Sequence, residues 1–257
     1  MSARAVGALV TNGFREARRN RVTVVLVAFA VAMLSSSILV TQVTVRTLDR
    51  VVVDFGLGVM ALILSFLAIF LSTGLVSREI ERKTIFLTLG KPLGRTSFLL
   101  GRLGGNLLTL LVLEAAMVAL YLAQLALLRT PFTQPQAMAL IGLFFEVSLL
   151  TTVGILCSAT LSQTVAAVTT TGVFFLGHLS GDLYRLVRTS DDAVLRFAGK
   201  AAYYVLPNLE RVNFRLMAAH NQPVPLSTVL SGVGATVAYS VALFIIASWI
   251  FERRDFK

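Results

Sequence analysis

Long apolar runs alternate with short polar links along most of this chain. A helix needs roughly 20 consecutive apolar residues to cross a bilayer core of about 30 Å, and six stretches meet or approach that length. The predicted spans are Val22 to Val40, Phe55 to Ser77, Leu103 to Leu128, Ala137 to Leu161, Thr164 to Ser180 and Leu226 to Phe251. The pattern predicts an all-α integral membrane protein, with residues 1–257 forming a single domain of six transmembrane helices.

The fourth and fifth predicted spans lie close together in the sequence. Only the tetrad Leu161-Ser162-Gln163-Thr164 separates them. One uninterrupted helix from Ala137 to Ser180 would overshoot any bilayer, because an α-helix rises about 1.5 Å per residue. We therefore predict a tight hairpin at the tetrad.

Composition supports a membrane protein and argues against an ordinary soluble domain. Hydrophobic residues make up 56% of the chain and charged residues 14%, and the mean hydropathy is +0.81. The net charge of +10 would suggest nucleic acid as a partner of a soluble protein. Here the basic residues crowd the ends of apolar runs, so topology explains them better. The first run is too long for a signal peptide and is predicted to be the first transmembrane helix.

Lys and Arg counted by loop predict the orientation. The N-terminal segment has five, the link from Arg78 to Arg102 has six and the tail from Glu252 has three. The opposite links have two, one and six, and the last of these is long enough to escape the rule. We expect both termini in the cytoplasm. The excess of Arg over Lys suggests a GC-rich bacterial genome, and so a bacterial cytoplasmic (inner) membrane.

The external segment before the last span has structure of its own. Its apolar residues between Leu183 and Val205 fall near helical spacing, so we predict amphipathic helices lying on the outer membrane face. They would act as a connector at the headgroups, or as an outer gate or docking surface for a periplasmic partner. The turn that contains Pro207, Asn208 and Glu210 is the best-defined element of the segment.

The sequence contains neither a phosphate-binding loop for a nucleotide nor a recognisable set of metal ligands. Gly90-Lys91 and Gly199-Lys200 lack the preceding glycine of a phosphate-binding loop. The two histidines, His178 and His220, are far apart and have no acidic cluster beside them, so we expect neither a metal site nor a cofactor in this chain. We interpret His178 as an interfacial or helix-end histidine and the single cysteine, Cys157, as a packing residue.

Two acidic residues lie inside predicted spans. Glu114 is 11 residues from the start of the third span, and Glu146 is 9 residues from the start of the fourth. A carboxylate at such a depth must be protonated, paired or hydrated. Glu114 and Glu146 are therefore candidates for a transport pathway, although hydrogen bonding between helices explains them equally well. The hydroxyls of the threonines and serines in these spans are expected to bond their own helix carbonyls.

A charged insert separates the second and third spans. Its motifs are Arg78-Glu79-Ile80-Glu81-Arg82-Lys83, Ile85-Phe86-Leu87, Pro92, Arg95 and Gly101-Arg102. This stretch resembles the cytoplasmic insert of permease subunits of type-2 ABC exporters. The layout of the whole chain is similar to such permeases, and the insert is the specific part of the resemblance.

The resemblance implies a mechanism. The insert would form a short coupling helix in a groove of a separate ATP-binding subunit, which would bind the ATP and magnesium. This chain would not be an enzyme itself, and two copies, or one copy with a related permease, would form the export pathway. The residues implied in coupling are Glu79, Glu81, Arg82 and Lys83 for polar contacts and Ile85, Phe86 and Leu89 for the apolar face. Anchoring at headgroups would not explain the acidic residues among the basic ones.

Two other classes of protein remain open. A membrane-embedded enzyme needs a convergent polar constellation, and its only candidates, Glu114, Glu146 and His178, lie on different spans. An ATP-independent channel or secondary transporter would use the two carboxylates directly. Neither class requires an ATPase partner, which separates both from the permease hypothesis.

Overall fold

Six long helices make up most of the described part of the chain. The computed structural model describes residues 22–43, 48–81, 95–188, 196 and 206–253, and these residues contain helices and no strand. The long helices are α1 (Val22–Val43), α2 (Leu48–Glu81), α3 (Arg95–Leu128), α4 (Gln134–Thr160), α5 (Gln163–Arg188) and α7 (Leu226–Arg253). Between α5 and α7, the described residues form a 3-10 turn, Leu209–Val212, and the short helix α6, Arg215–Ala219.

The helices coincide with the six predicted spans and extend beyond most of them. Four helices, α2, α3, α4 and α7, are long and apolar enough to cross a membrane by length and composition. The predicted hairpin is confirmed, because α4 ends at Thr160 and α5 begins at Gln163 after an extended Leu161. Helices α1 and α5 coincide with predicted spans, and their crossing of the membrane stays a prediction.

Side-chain contacts at the two ends of the bundle show how the helices run. Thr130, after α3, donates a hydrogen bond to Asp49 at the start of α2 over 2.9 Å. At the opposite end, Thr96 at the start of α3 bonds Glu252 at the end of α7. We name the end with Asp49 and Thr130 the outer end, following the predicted topology. Helix α3 therefore runs antiparallel to both α2 and α7.

Helices α2 and α4 cross at very short range. A Cβ atom added to Gly154 in α4 would lie 1.9 Å from the hydroxyl oxygen of Ser72 in α2. Ser72 turns that hydroxyl back to its own helix, where it donates to the carbonyl of Ala68 over 2.6 Å. This crossing fixes α4 against α2, so the two helices are expected to move together.

The chain between α5 and α7 turns back into the bundle. We name residues 206–221 the inserted segment. Its Leu209 and Val212 have no exposed surface, and it packs against the long helices α2, α4, α5 and α7. The external helices predicted between Leu183 and Val205 precede this segment, and residues 183–188 of that stretch belong to α5. The inserted segment itself buries Leu209, Val212 and Phe214 between helices.

Three glycines allow the backbone of the inserted segment to approach helices α4, α5 and α7 closely. A Cβ added at Gly142 in α4 would lie 2.0 Å from the carbonyl oxygen of Val212. At Gly177 in α5 and Gly232 in α7, added Cβ atoms would lie 2.8 Å and 2.5 Å from other carbonyl oxygens of the segment. Each glycine therefore leaves space for backbone where a side chain would stand.

Part of the predicted coupling insert lies outside the described residues. This applies to Arg82, Lys83, Ile85, Phe86 and Leu89. The backbone of Glu79 and Glu81 belongs to the last turns of α2. Most of the predicted external helix between residues 189 and 205 also lies outside the described part of the chain.

The close approach of the inserted segment to Gly142 in α4 leads to a first prediction. Gly142→Ala should lower the thermal unfolding temperature in detergent, because the added methyl group meets backbone that cannot move without displacing the segment; we expect a cost of about 1–3 kcal/mol. Gly172→Ala in α5 is the matched control, since its Cβ would meet nothing within 4 Å. The control should be neutral or stabilising, by up to about 1 kcal/mol. Equal stability of the two variants would contradict a close contact between Gly142 and the backbone of Val212.

Candidate functional site

Glu146 is a buried carboxylate in the middle of an apolar helix. It follows the first residue of α4, Gln134, by 12 positions, or about 18 Å. Only 1% of its surface is exposed. An ionised carboxylate is costly in this environment unless a cation or several donors accompany it. The position therefore requires a partner.

Arg215 supplies the positive charge. It is the first residue of α6, and its Nη1 donates a hydrogen bond to Oε2 of Glu146 over 3.0 Å. The side chain of Arg215 is 16% exposed, so the ion pair is largely shielded from solvent. Phe214, which is buried beside it, helps to hold the start of α6 inside the bundle. The pair ties the inserted segment to the centre of α4 through a charge-assisted hydrogen bond.

His178 in α5 completes the cluster. Its Nδ1 lies 2.9 Å from the carbonyl oxygen of Phe174. Because a carbonyl only accepts hydrogen bonds, Nδ1 must carry the proton in this contact. Its Nε2 lies 3.1 Å from Oε1 of Glu146 and 3.2 Å from Nη2 of Arg215. A neutral imidazole can accept from Arg215 through Nε2, whereas an imidazolium donates to Glu146 instead.

The position of His178 differs from the sequence prediction. It is not at a helix end, since α5 continues for ten more residues to Arg188. The statement that the candidate residues lie on different helices was correct, yet Glu146 and His178 meet in space. The sequence did not indicate a role for Arg215, which lies in the segment predicted to be external. The available signal was an acidic residue in one span, a histidine in the next and an arginine in the following link.

Glu114 is buried in α3 but takes no part in the ion pair. It is 5% exposed, and its Oε2 has no hydrogen-bond partner among the described residues. Glu146 lies within electrostatic range of it. Arg215 compensates Glu146 alone, so the two predicted pathway carboxylates have different surroundings.

The predicted external turn forms the entry to the inserted segment. Pro207 is buried, and its carbonyl oxygen faces Gly177. Asn208 precedes the 3-10 turn without capping it, and its Oδ1 has no hydrogen-bond partner among the described residues. Glu210 is exposed and accepts a hydrogen bond from Nδ2 of Asn213 over 2.9 Å. The turn is thus part of the packed bundle.

Several hydroxyl groups in the described helices are hydrogen-bonded within their own helix. As predicted, they bond carbonyl oxygens three or four residues earlier in their own helix. The residues are Thr151, Thr152, Ser158, Thr160, Thr170 and Thr171. Among the described residues, no group of three or more His, Cys, Asp and Glu side chains could hold a metal ion. The buried ion pair is therefore the main polar feature of the described interior.

The ion pair leads to a second prediction. Arg215→Met should lower the free energy of unfolding by about 3 kcal/mol or more, because it leaves a buried carboxylate without its cation. Glu146→Leu combined with Arg215→Met should recover much of this loss. Thermal unfolding of the single and double variants in detergent measures the coupling. Additive losses would show that the two side chains do not depend on one another.

Comparison with known proteins finds a family match. A family model described as ABC-2 family transporter protein matches residues 7–256. No curated protein sequence matches the chain. The family match covers nearly all of the sequence and confirms the resemblance seen in the charged insert. This chain therefore belongs to the ABC-2 transporter family.

Proposed function

We propose that this chain exports its substrate as a permease driven by a separate ATP-binding subunit, which docks at the insert between α2 and α3. Membership of the ABC-2 family supports a membrane component of an ABC transporter. The observation that carries the docking proposal is the length of α2. Its 34 residues span about 51 Å, well beyond a bilayer core of about 30 Å.

The geometry offers a route for mechanical coupling. Helix α2 continues nine residues, or about 14 Å, past its crossing with α4 at Ser72. A force applied at the insert would act on α2 as a lever. Because Ser72 packs directly against Gly154, α4 would follow and move Glu146. The proposed mechanism therefore links the docking site to the ion pair through two helices.

The remaining parts of the proposal follow from the sequence. Glu79, Glu81, Arg82 and Lys83 would contact the ATPase through polar groups, and Ile85, Phe86 and Leu89 through apolar ones. ATP and magnesium would bind to the partner subunit. Two copies of this chain, or one copy with a related permease, would form the pathway in a bacterial inner membrane with all termini in the cytoplasm. A periplasmic accessory protein could dock at the outer end.

We propose further that the inserted segment is the outer gate. It occupies space between α4, α5 and α7, and the pair of Arg215 with Glu146 holds it there. Movement of α4 would strain this pair and release the segment. His178 would then stabilise whichever charge the opening leaves exposed, since its Nε2 can accept from Arg215 or donate to Glu146.

A second candidate is a proton-linked transporter that works without ATP. The contact of His178 with Glu146 favours it, because both groups can exchange protons. The candidate differs from the permease in needing no ATPase. Purification from the native host distinguishes the two, since only the permease should retain an ATP-binding subunit and its ATPase activity.

The coupling proposal yields a third prediction. Glu81→Arg should abolish ATPase co-purification and transport while membrane insertion stays intact, because it reverses a charge at the proposed docking site. The measurement is the amount of ATP-binding subunit retained in mild detergent. Glu16→Arg makes the same charge change in the N-terminal segment on the same predicted side and should retain the subunit. Normal retention by Glu81→Arg would remove the coupling assignment.

The gate proposal yields a fourth prediction. Leu209→Cys in a Cys157→Ala background should resist a membrane-impermeant maleimide at rest, because Leu209 is fully buried. During ATP turnover by the complete complex its labelling rate should rise about tenfold or more. Leu226→Cys is the control, since Leu226 is 62% exposed and should react in both states. A labelling rate of Leu209→Cys that is the same with and without ATP turnover would contradict the gate proposal.

A further inference from the structure

Arg211 differs from the other arginine of the inserted segment. Its side chain is exposed, and it has no acidic partner among the described residues. Its carbonyl oxygen lies 2.5 Å from the position of a Cβ on Gly232, six residues into α7. Helix α7 is apolar enough to cross a membrane. An arginine beside such a helix, with no acidic partner in the part of the chain that the structure describes, indicates a binding function.

A cavity adjoins Arg211. It has a volume of about 230 Å³, and it lies between the inserted segment and helices α4 and α7. Arg211 and Asn208 form its polar wall, while Leu149, Ala235, Thr236 and Tyr239 are among the residues on the helix side. The Oδ1 of Asn208 has no hydrogen-bond partner among the described residues and does not cap the 3-10 turn that follows. The polar wall thus combines a cation with an unused acceptor.

The polar and apolar parts of the cavity lie at different depths. Gly232, beside Arg211, is six residues from the start of α7 and Tyr239 is 13, which places them about 9 Å and 20 Å along the helix. Ile246 follows Tyr239 by seven residues, on the same face of α7, and is 47% exposed. An apolar surface therefore continues from the cavity toward the opposite end of the helix. This arrangement matches a molecule with an anionic head and a long apolar tail.

We propose that this cavity binds an anionic phospholipid from the surrounding leaflet. Arg211 binds the phosphate, and the geometry of a guanidinium suits two parallel hydrogen bonds to phosphate oxygens. Asn208 accepts a hydrogen bond from a hydroxyl of the headgroup, such as that of a glycerol phosphate. The acyl chain lies along Tyr239 and Ile246. The inference concerns binding alone, so it does not depend on an ATPase partner.

Native mass spectrometry of the purified full chain tests this site. The probe is phosphatidylglycerol, compared with phosphatidylcholine of the same acyl chains. Wild-type protein should retain phosphatidylglycerol preferentially, and Arg211→Gln should lose about tenfold in affinity for it, because a charge-assisted hydrogen bond is removed. Arg211→Lys keeps the charge and should recover part of the affinity. Ala235→Phe fills the cavity and should weaken binding of the lipid without altering Arg211.

Gly234→Phe is the matched control. It adds the same ring one position away on α7, where a Cβ would meet nothing within 4 Å, and it should leave lipid retention unchanged. Thermal unfolding of each variant verifies that it is folded. Retention of phosphatidylglycerol that is unchanged in both Arg211→Gln and Ala235→Phe would overturn the proposal. If glycerol phosphate, which has no acyl chains, binds as tightly as phosphatidylglycerol, the lipid proposal is overturned and the site binds a soluble anion instead.

Discussion

The charge of Glu146 is the constraint on which the interior of this protein depends. A carboxylate at the centre of an apolar helix cannot reach water, and the ion pair with Arg215 compensates it. That cation comes from the inserted segment between α5 and α7, which packs between the helices. Non-helical backbone is tolerated at such a depth only where protein surrounds it. The buried pair and the inserted segment thus require one another.

Close backbone packing also holds the inserted segment between the helices. The carbonyl groups of the inserted segment occupy positions that side chains at Gly142, Gly177 and Gly232 would otherwise fill. One glycine stands on each of α4, α5 and α7, so the segment is held by three helices at once. A displacement of any of these helices changes the space available to it. This is the physical basis for treating the segment as a proposed gate.

Sequence patterns predicted the positions of the helices well, but they predicted the helix ends and the contacts between helices poorly. The hairpin after Thr160 and the six apolar runs follow from local hydropathy and length, which do not depend on tertiary contacts. The helix ends were less predictable, because α2 begins at Leu48 and continues to Glu81 through polar turns that hydropathy alone does not include. The role of His178 could not be predicted, since it depends on which faces of α4 and α5 meet.

The sequence by itself determined that this chain is helical, membrane-embedded and related to ABC-2 permeases, because apolar periodicity and the charged insert are local features. Only the tertiary structure decided what the buried polar groups do. Residues 69 positions apart, Glu146 and Arg215, form an ion pair because the chain folds back through notches made by glycines on separate helices. Pairing over such a separation depends on packing, and packing depends on all the helices together.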